Sequence, residues 1–406
     1  MHSMAVSEKR IVIIGGGFAG VRAALNLTKQ KITGAKIILI SARPHFEYHA
    51  ALYRVVAGCS PIAARVPLQD IFERTDVKVA ADQIVAIDFH SKYAQGKSGS
   101  RYGFDFLALA LGGETVYFDI PGLKEFSFGF KSIQEASRLN QHLHELFRAC
   151  AISATDKEED ICRAHLVIVG GGTSGAELAG ELAVYTKTLA KKHKLDPSLI
   201  TIDLIEAAPR LLPALPEDIS AKVQARLHYL GVNIFLNRTV VKEEIETVYL
   251  KDMAMKTKTV IWTAGVKPNR LYAETKGLLL DKKGRVVVDE FLQAEGFNNV
   301  FILGDAAATP CAGLAQTAIH DGNFMAETIG KKIRGRPLKP YEAKKPAYAI
   351  PVGPGWAAAL VGRYRFYGRL GWWLRRAADL KFFFSILPLR KVFRLLTRLT
   401  HLNNYN

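Results

Sequence analysis

The chain has 406 residues, 49% hydrophobic and 23% charged, a globular balance that excludes disordered and fibrous classes and allows two or three domains with sizeable cores. Lys and Arg number 55 against 38 Asp and Glu, a formal net charge of +17, so an anionic partner is expected: a lipid surface, nucleic acid or a phosphorylated ligand. The four cysteines, Cys59, Cys150, Cys162 and Cys311, have no CxxC or other metal spacing; this argues against a zinc finger and a disulfide framework, favours a reducing compartment, and leaves no metal site expected.

The first residues, MHSMAVSEKR, run straight into an apolar strand without the basic, apolar, small order of a secretory signal, so export is not expected. From Arg10 onward, IVIIGGGFAGVRAALNL reads as a strand, a glycine turn and a helix, with Gly15, Gly17 and Gly20 in G-x-G-x-x-G spacing. The first glycine permits the tight turn, the second leaves room for a pyrophosphate, and the third lets the helix pack close to the strand. A second strand, KIILIS, ends about 20 residues later at Ser41 where the ribose contact belongs. The usual acid is missing there, so the Ser41 hydroxyl would have to serve.

The segment FDFLALALGGE, residues 104–114, and the later TVIWTAGVKPN, residues 259–269, each carry a short apolar strand into small residues and glycine. Both read as crossovers returning to a nucleotide domain. Between them, LVIVGGGTSGAELAGELA repeats the glycine device with Gly170, Gly172 and Gly175, which implies a second dinucleotide site. Its second strand, TIDLIE, ends at Glu206, whose carboxylate can accept from both ribose hydroxyls and repel a 2′-phosphate, favouring NADH over NADPH. Arg210 stands close enough to weaken that preference, and the lysine-rich YTKTLAKKHKLD lengthens the gap before Glu206.

Near residue 300, NNVFILGDAAATP is an apolar strand ending at Gly304 and Asp305. A carboxylate at such a strand end can bind ribityl hydroxyls of a flavin, and the positive end of the next helix would favour the anionic reduced form. The longest uncharged run, residues 346–362, is broken by Pro351, Gly353, Pro354 and Gly355. A spanning helix needs about 20 consecutive apolar residues, so no transmembrane segment is expected.

The last elements combine charge with large apolar groups. From Arg363 to Leu402 ten Lys and Arg stand against Asp379 alone, about +9 of the whole +17. Trp372, Trp373, Phe382, Phe383, Phe384, Ile386 and Leu387 are interleaved with them. Beyond Pro388, Val392, Leu395, Leu396, Leu399 and Leu402 share one helix face, and Arg390, Lys391, Arg394, Arg398 and His401 share the other. Such a helix is expected to lie in the interface of an anionic bilayer as a monotopic anchor; packing against the body or a second subunit is the alternative. Nucleic-acid binding accounts for the charge without the apolar stripe, so no nucleic-acid partner is expected.

Over residues 10–330 the two glycine devices and the GD strand end resemble the two-dinucleotide-fold flavoprotein oxidoreductases. YFDIPGLKEFSFGFKSIQEASRL, APRLLPALPEDIS and AQTAIHDG bring the chain closer to type II NADH dehydrogenases, the single-subunit NADH:quinone oxidoreductases of membrane surfaces. The resemblance implies an α/β protein with two Rossmann-like domains, FAD on the first glycine motif and NADH on the second, plus the basic amphipathic carboxy-terminal region. The expected boundaries are 1–115 with 286–340 for FAD, 116–285 for NADH, and 341–406 for membrane anchoring or dimerisation.

The implied reaction is hydride transfer from NADH to FAD and two electrons onward to ubiquinone or menaquinone, without proton pumping. It would run at the cytoplasmic face of the cell membrane, in a homodimer. Gln316 and His320, four apart on one helix face, could hydrogen-bond quinone carbonyls, although the family usually carries a second glutamine at His320. Glu177 matches an acidic position facing the flavin side of the nicotinamide site, where it could deliver a proton; a carboxylate stabilising a helix amino terminus is the plain alternative.

Other acceptors separate on the cysteines. Disulfide reductases of this superfamily need a close pair such as C-x4-C on the first domain, where only Cys59 falls. A sulfide:quinone oxidoreductase-like enzyme needs paired reactive cysteines, and Cys162 is expected away from the chemistry, leaving Cys311 as a small packed residue. A soluble NAD(P)H-dependent reductase of a protein electron carrier and a nucleotide-sensing membrane-bound interaction protein remain as rivals.

Overall fold

The computed structural model describes residues 8–152 and 164–400, with side chains described through Arg394. Cys162 and the side chains at the far end of the amphipathic pattern, Leu395, Leu396, Arg398, Leu399, His401 and Leu402, lie outside the described residues. The β-branched run Ile11–Ile14 is buried on both faces, which only the middle of a parallel sheet provides. The strand Lys9–Ile14 accordingly lies third of five, in the order Val300–Ile302, Phe106–Leu109, Lys9–Ile14, Ala35–Ser41, Lys78–Ala81. Its neighbours run parallel to it, with Ile14 opposite Ile40 on one side and Leu109 on the other. The helix Phe18–Lys29 packs against Ala315–Ile333 because Gly322 offers no side chain at the crossing; a Cβ there would stand 2.5 Å from the Ala19 carbonyl oxygen.

A second five-stranded parallel sheet repeats the plan: Phe128–Gly129, Thr259–Trp262, His165–Val169, Thr201–Ile205, Val232–Phe235. The two segments expected as crossovers are placed as sheet strands, each beside the strand that leads into a glycine turn. Beyond them Gly113–Thr115 and Val266–Pro268 pair antiparallel. One ladder thus joins the two nucleotide domains. The lysine-rich stretch before Glu206 is mostly the second half of the 21-residue helix Thr173–His193. Lys191, Lys192 and His193 sit in its last turn, where the helix dipole favours cations.

In the carboxy-terminal region the expected alternative holds for part of the apolar stripe, which packs against the body of the protein. The uncharged run forms a hairpin, Tyr348–Pro351 with Ala357–Val361, extended by Tyr364–Phe366. The helix Gly368–Ile386 crosses it at Gly371, where a Cβ would stand 2.2 Å from the Ala357 carbonyl oxygen. Of the residues expected at the lipid, Phe383, Ile386, Leu387 and Val392 are buried. Phe382 stacks on Tyr48 at 5.1 Å. Arg375, counted with the surface charges, is buried as well. Its guanidinium donates to the carbonyls of Ala50 and Ala349 at 2.5 and 3.2 Å and meets Asp379 at 3.1 Å. Pro388 separates this helix from Leu389–Thr400. There Lys391 bridges Asp70 and Glu73 of the first domain at 2.8 and 2.5 Å.

Several apolar side chains do stay outside. Leu370, Trp373 and Phe384 share the outer face of Gly368–Ile386, and Leu389 and Phe393 follow after the proline. Arg369 and Lys381 are exposed among them. Among the described residues no helix is long and apolar enough to cross a membrane.

Candidate functional site

The two glycine turns have the same backbone for the same reason. Gly15 has φ +117° and Gly170 φ +112°, a region closed to side chains. Gly20 and Gly175 pack against the preceding turn, where an added Cβ would stand 1.9 Å from the Gly15 carbonyl oxygen and 1.8 Å from that of Gly170. Gly17 and Gly172 differ: nothing lies within 4 Å of a Cβ built there. Each is the N-cap of its helix without a side-chain cap, and neither first turn carries an acid. Two helix amino termini therefore present uncapped N–H groups at an open surface, the arrangement that binds a pyrophosphate.

A cavity of about 730 Å³ runs from the first turn across the junction of the two domains. Gly15, Gly17, Ser41, Gly304 and Asp305 line it from the first domain, and Lys131, Ser174 and Glu177 from the second. Lys131 lies 3.7 Å from Asp305. It precedes a capping box in which Ser132 and Glu135 hold the start of the helix Ile133–Ile152. Asn269 donates to Glu114 at 2.7 Å beside the ladder that joins the two domains.

Ser41 stands at the expected strand end, and its hydroxyl donates to the Arg43 carbonyl at 2.7 Å. The Arg43 N–H donates back to the hydroxyl oxygen at 3.3 Å, which leaves one lone pair, not the proton, for a ribose. Glu206 is fixed from two sides: Gly171 N–H donates to Oε2 at 2.6 Å and Ala208 N–H to Oε1 at 2.7 Å. Arg210 turns away from it. Its guanidinium donates to the carbonyls of Leu212, Leu215 and Pro213 at 3.2, 2.9 and 2.7 Å. The cation that weakened the NADH preference is thus occupied by its own loop.

Glu177 lies in the first turns of Thr173–His193 and opens to the cavity. Burial pushes its carboxyl up to about 7, with Arg375 pulling down, Asp379 pushing up and Arg54 pulling down. That value suits proton exchange near neutrality. The side chain is partly buried where it meets the cavity, and desolvation by the protein around it outweighs the neighbouring guanidiniums.

Gln316 and His320 are brought together on one face of Ala315–Ile333 but do not line this cavity. Gln316 donates to the Ala347 carbonyl at 2.7 Å and accepts the Ala347 N–H at 3.0 Å. His320 Nε2 contacts the Glu342 carbonyl at 2.9 Å, and its ring lies 5.3 Å from that of Tyr341. Both hold the strap that leads to the carboxy-terminal sheet. Cys59 is half-buried, its thiol pushed up by burial, and Cys311 is exposed.

Sequence reasoning missed Asp321, which is fully buried. It accepts the Gly304 N–H at 2.9 Å and the Tyr341 hydroxyl at 2.7 Å, and so fixes the turn that carries Asp305. Burial pushes its carboxyl up. It also missed the group Arg43, His45, Glu47 and His49 at the cavity edge. The available signal was a charge inside an otherwise small or apolar helix face for Asp321, and a dense alternation of ionisable groups for the second.

Comparison with known proteins matches this arrangement. The chain is 24% identical over 397 residues to the Type II NADH:quinone oxidoreductase of Staphylococcus saprophyticus, covering 94% of this chain and 97% of that protein. It is 26% identical, with the same coverage, to the protein of that name from Staphylococcus aureus. Its fold matches NDH2 from Plasmodium falciparum, solved with NADH, at a TM-score of 0.87 and 17% identity, over 96% of this chain and 97% of that one. It also matches the sulfide:quinone oxidoreductase of Aquifex aeolicus at 0.78 and 19%, over 93% and 91%. Residues 9–322 match the pyridine nucleotide-disulphide oxidoreductase family, and with both glycine turns in place the chain belongs to that family.

Proposed function

We propose that this protein is a type II NADH:quinone oxidoreductase, passing hydride from NADH to FAD and two electrons onward to a membrane quinone without pumping protons. The observation that supports this most directly is the single cavity lined by the first glycine turn and by Ser174 and Glu177 from the helix after the second. Donor and acceptor rings would meet there. A flavin held in it supplies hydride acceptance from nicotinamide and two-electron donation to a quinone.

The chain's own residues bind and orient. Gly15, Gly17 and Gly20 open the first helix terminus to a pyrophosphate, Ser41 offers one lone pair at the ribose position, and Asp305, on the turn begun by Gly304, offers a carboxylate to ribityl hydroxyls. Gly170, Gly172 and Gly175 do the same for NADH, with Glu206 aimed by two backbone N–H groups at the ribose. Glu177 exchanges a proton at the cavity. The domain division that fits this reading is 1–115 with 286–340, 116–285, and 341–406.

Quinone-side roles for Gln316 and His320 belong to the same proposal. They require the 342–347 strap to release the polar atoms it now engages. The outer stripe Leu370, Trp373 and Phe384, flanked by Arg369 and Lys381, is the surface we assign to an anionic bilayer at the cytoplasmic face, with homodimerisation through the same region.

Anaerobic turnover of NADH with a short-chain quinone tests the reading. Glu177→Gln should retain flavin bleaching by NADH while losing about 100-fold in the quinone step, the usual worth of a positioned acid or base. Flavin that NADH leaves unbleached in the unaltered protein would overturn the oxidoreductase assignment.

A further inference from the structure

Reduction of a quinone by NADH consumes one proton: NADH, H⁺ and quinone give NAD⁺ and quinol. Of the two protons that the quinone oxygens acquire, one derives from NADH and the other from water. A water-excluding cavity therefore needs a protein group that takes a proton from solvent and hands it inward. On the oxidoreductase reading above, we infer that His49, backed by the buried carboxylate of Glu47, is that entry point on the first domain.

Geometry carries the assignment. Glu47 is only 8% exposed, yet it lines the cavity and gathers three cationic or imidazole partners there. Arg43 contacts it at 2.7 Å, His45 at 3.4 Å and His49 at 3.7 Å. Arg43 and His45 are turned to the carboxylate from the stretch in which His45–Glu47 pairs antiparallel with Arg65–Pro67. His49 differs: its side chain is 44% exposed and lines the cavity. It opens the short turn His49–Ala51, and its ring stands 6.3 Å from that of Phe18, the first residue of the helix after the first glycine turn. The imidazole thus has a carboxylate behind it, the cofactor cavity in front and water at its side. This is the geometry of an imidazole oriented by a buried acid.

The surrounding charges keep Glu47 ionised. Burial pushes its carboxyl up, but hydrogen bonding from His49, the charge of Arg43 and hydrogen bonding from His45 together hold it below the ordinary range. Arg65 on the paired strand acts on His45. Behind the turn, Arg375 grips the Ala50 carbonyl at 2.5 Å and Tyr48 donates to Asp379 at 2.6 Å, so the backbone carrying His49 is clamped. Nε2 faces Glu47, so in the proposed step the Nδ1–H bond of the imidazolium breaks and that proton becomes one hydroxyl hydrogen of the quinol. The electron pair of the broken bond stays on the nitrogen, which takes a proton back from water. The two electrons come from NADH, so no further reductant is required. Glu177, on the opposite domain, is left to manage the second proton, the one that remains when the two electrons of the hydride have passed to the quinone.

The test uses purified full-length holoprotein, anaerobic, with NADH, a short-chain quinone and a pH-indicator dye in stopped flow. His49→Asn should leave flavin bleaching by NADH at its normal rate while slowing quinone reduction and dye-reported proton uptake together, about 100-fold. Added imidazole should restore both. Glu47→Gln should move the pH profile of the quinone step without abolishing bleaching. Normal proton uptake and an unchanged pH profile in His49→Asn would overturn the inference and leave the oxidoreductase reading intact. Loss of bleaching in His49→Asn alone would also overturn it, by assigning His49 to cofactor retention.

Discussion

The hydroxyl of Tyr48 donates to the Asp379 carboxylate at 2.6 Å, joining the first nucleotide domain to the carboxy-terminal helix across 331 residues of sequence. Asp379 also receives Arg54 at 3.3 Å and Arg375 at 3.1 Å. The one acid in a strongly basic segment is thus the counter-ion of two buried guanidiniums, and the helix it belongs to is part of the molecule's core.

Asp379→Ala is therefore expected to cost about 3–5 kcal/mol, because it leaves two buried cations uncompensated. Denaturant unfolding of the purified protein measures this. A loss below about 1 kcal/mol, the range of an exposed pair, would show that the guanidiniums find other partners.

The glycines of the second turn should separate folding from binding. Gly175→Ala drives a methyl to within 1.8 Å of the Gly170 carbonyl oxygen, so the helix must shift and thermal stability should fall. Gly172→Ala meets nothing within 4 Å and should melt normally, yet raise the KM for NADH about tenfold by occupying the pyrophosphate's place. Melting curves and NADH titrations on both variants distinguish the two roles; equal melting temperatures would contradict them.

The proposed membrane docking rests on the outer stripe rather than on the last helix as a whole. Trp373→Asp with Phe384→Ser should abolish flotation with anionic liposomes while leaving flavin content unchanged, since both side chains point away from the core. Substituting the buried Val392 should instead lower stability. Retained flotation of the double variant would move the contact elsewhere.

His165 gives a pH signature at the far end of the NADH-domain sheet. Burial lowers its imidazole, but the hydrogen bond and charge of Asp203 at 2.8 Å raise it further, and the net shift is upward. A folded value above the unfolded one of about 6.5 means that the stabilisation is complete below the unfolded value and is lost as pH rises through the folded one. His165→Asn should thus cost more stability near pH 5.5 than near pH 8.5, as read by chemical unfolding at both. An equal cost at the two would remove the charge from the account.

Local backbone chemistry was legible in the sequence. Glycine spacing specified the two turns because only glycine reaches φ near +115° and tolerates a carbonyl at 2 Å. The β-branched runs before them specified buried parallel strands, and with these the two-domain α/β plan. Glu206 was readable as the strand-end acid because the apolar run of the second strand stops at it, even though the helix before it is longer than in the first copy.

Partners distant in the chain were not legible. The sequence left Arg210 as a rival for a 2′-phosphate, and only the folded loop shows its guanidinium spread over three carbonyls. It counted Arg375 and Val392 with the membrane surface because helical periodicity says which residues share a face and nothing about what that face meets. Likewise Gln316 and His320 share a helix face, as their spacing required, but the strap at Ala347 and Glu342 engages them. Amino-acid order sets local conformation through sterics and hydrogen-bond supply; which charge is buried, which apolar stripe is covered and which carboxylate meets which imidazole are decided when segments hundreds of residues apart exclude the same water.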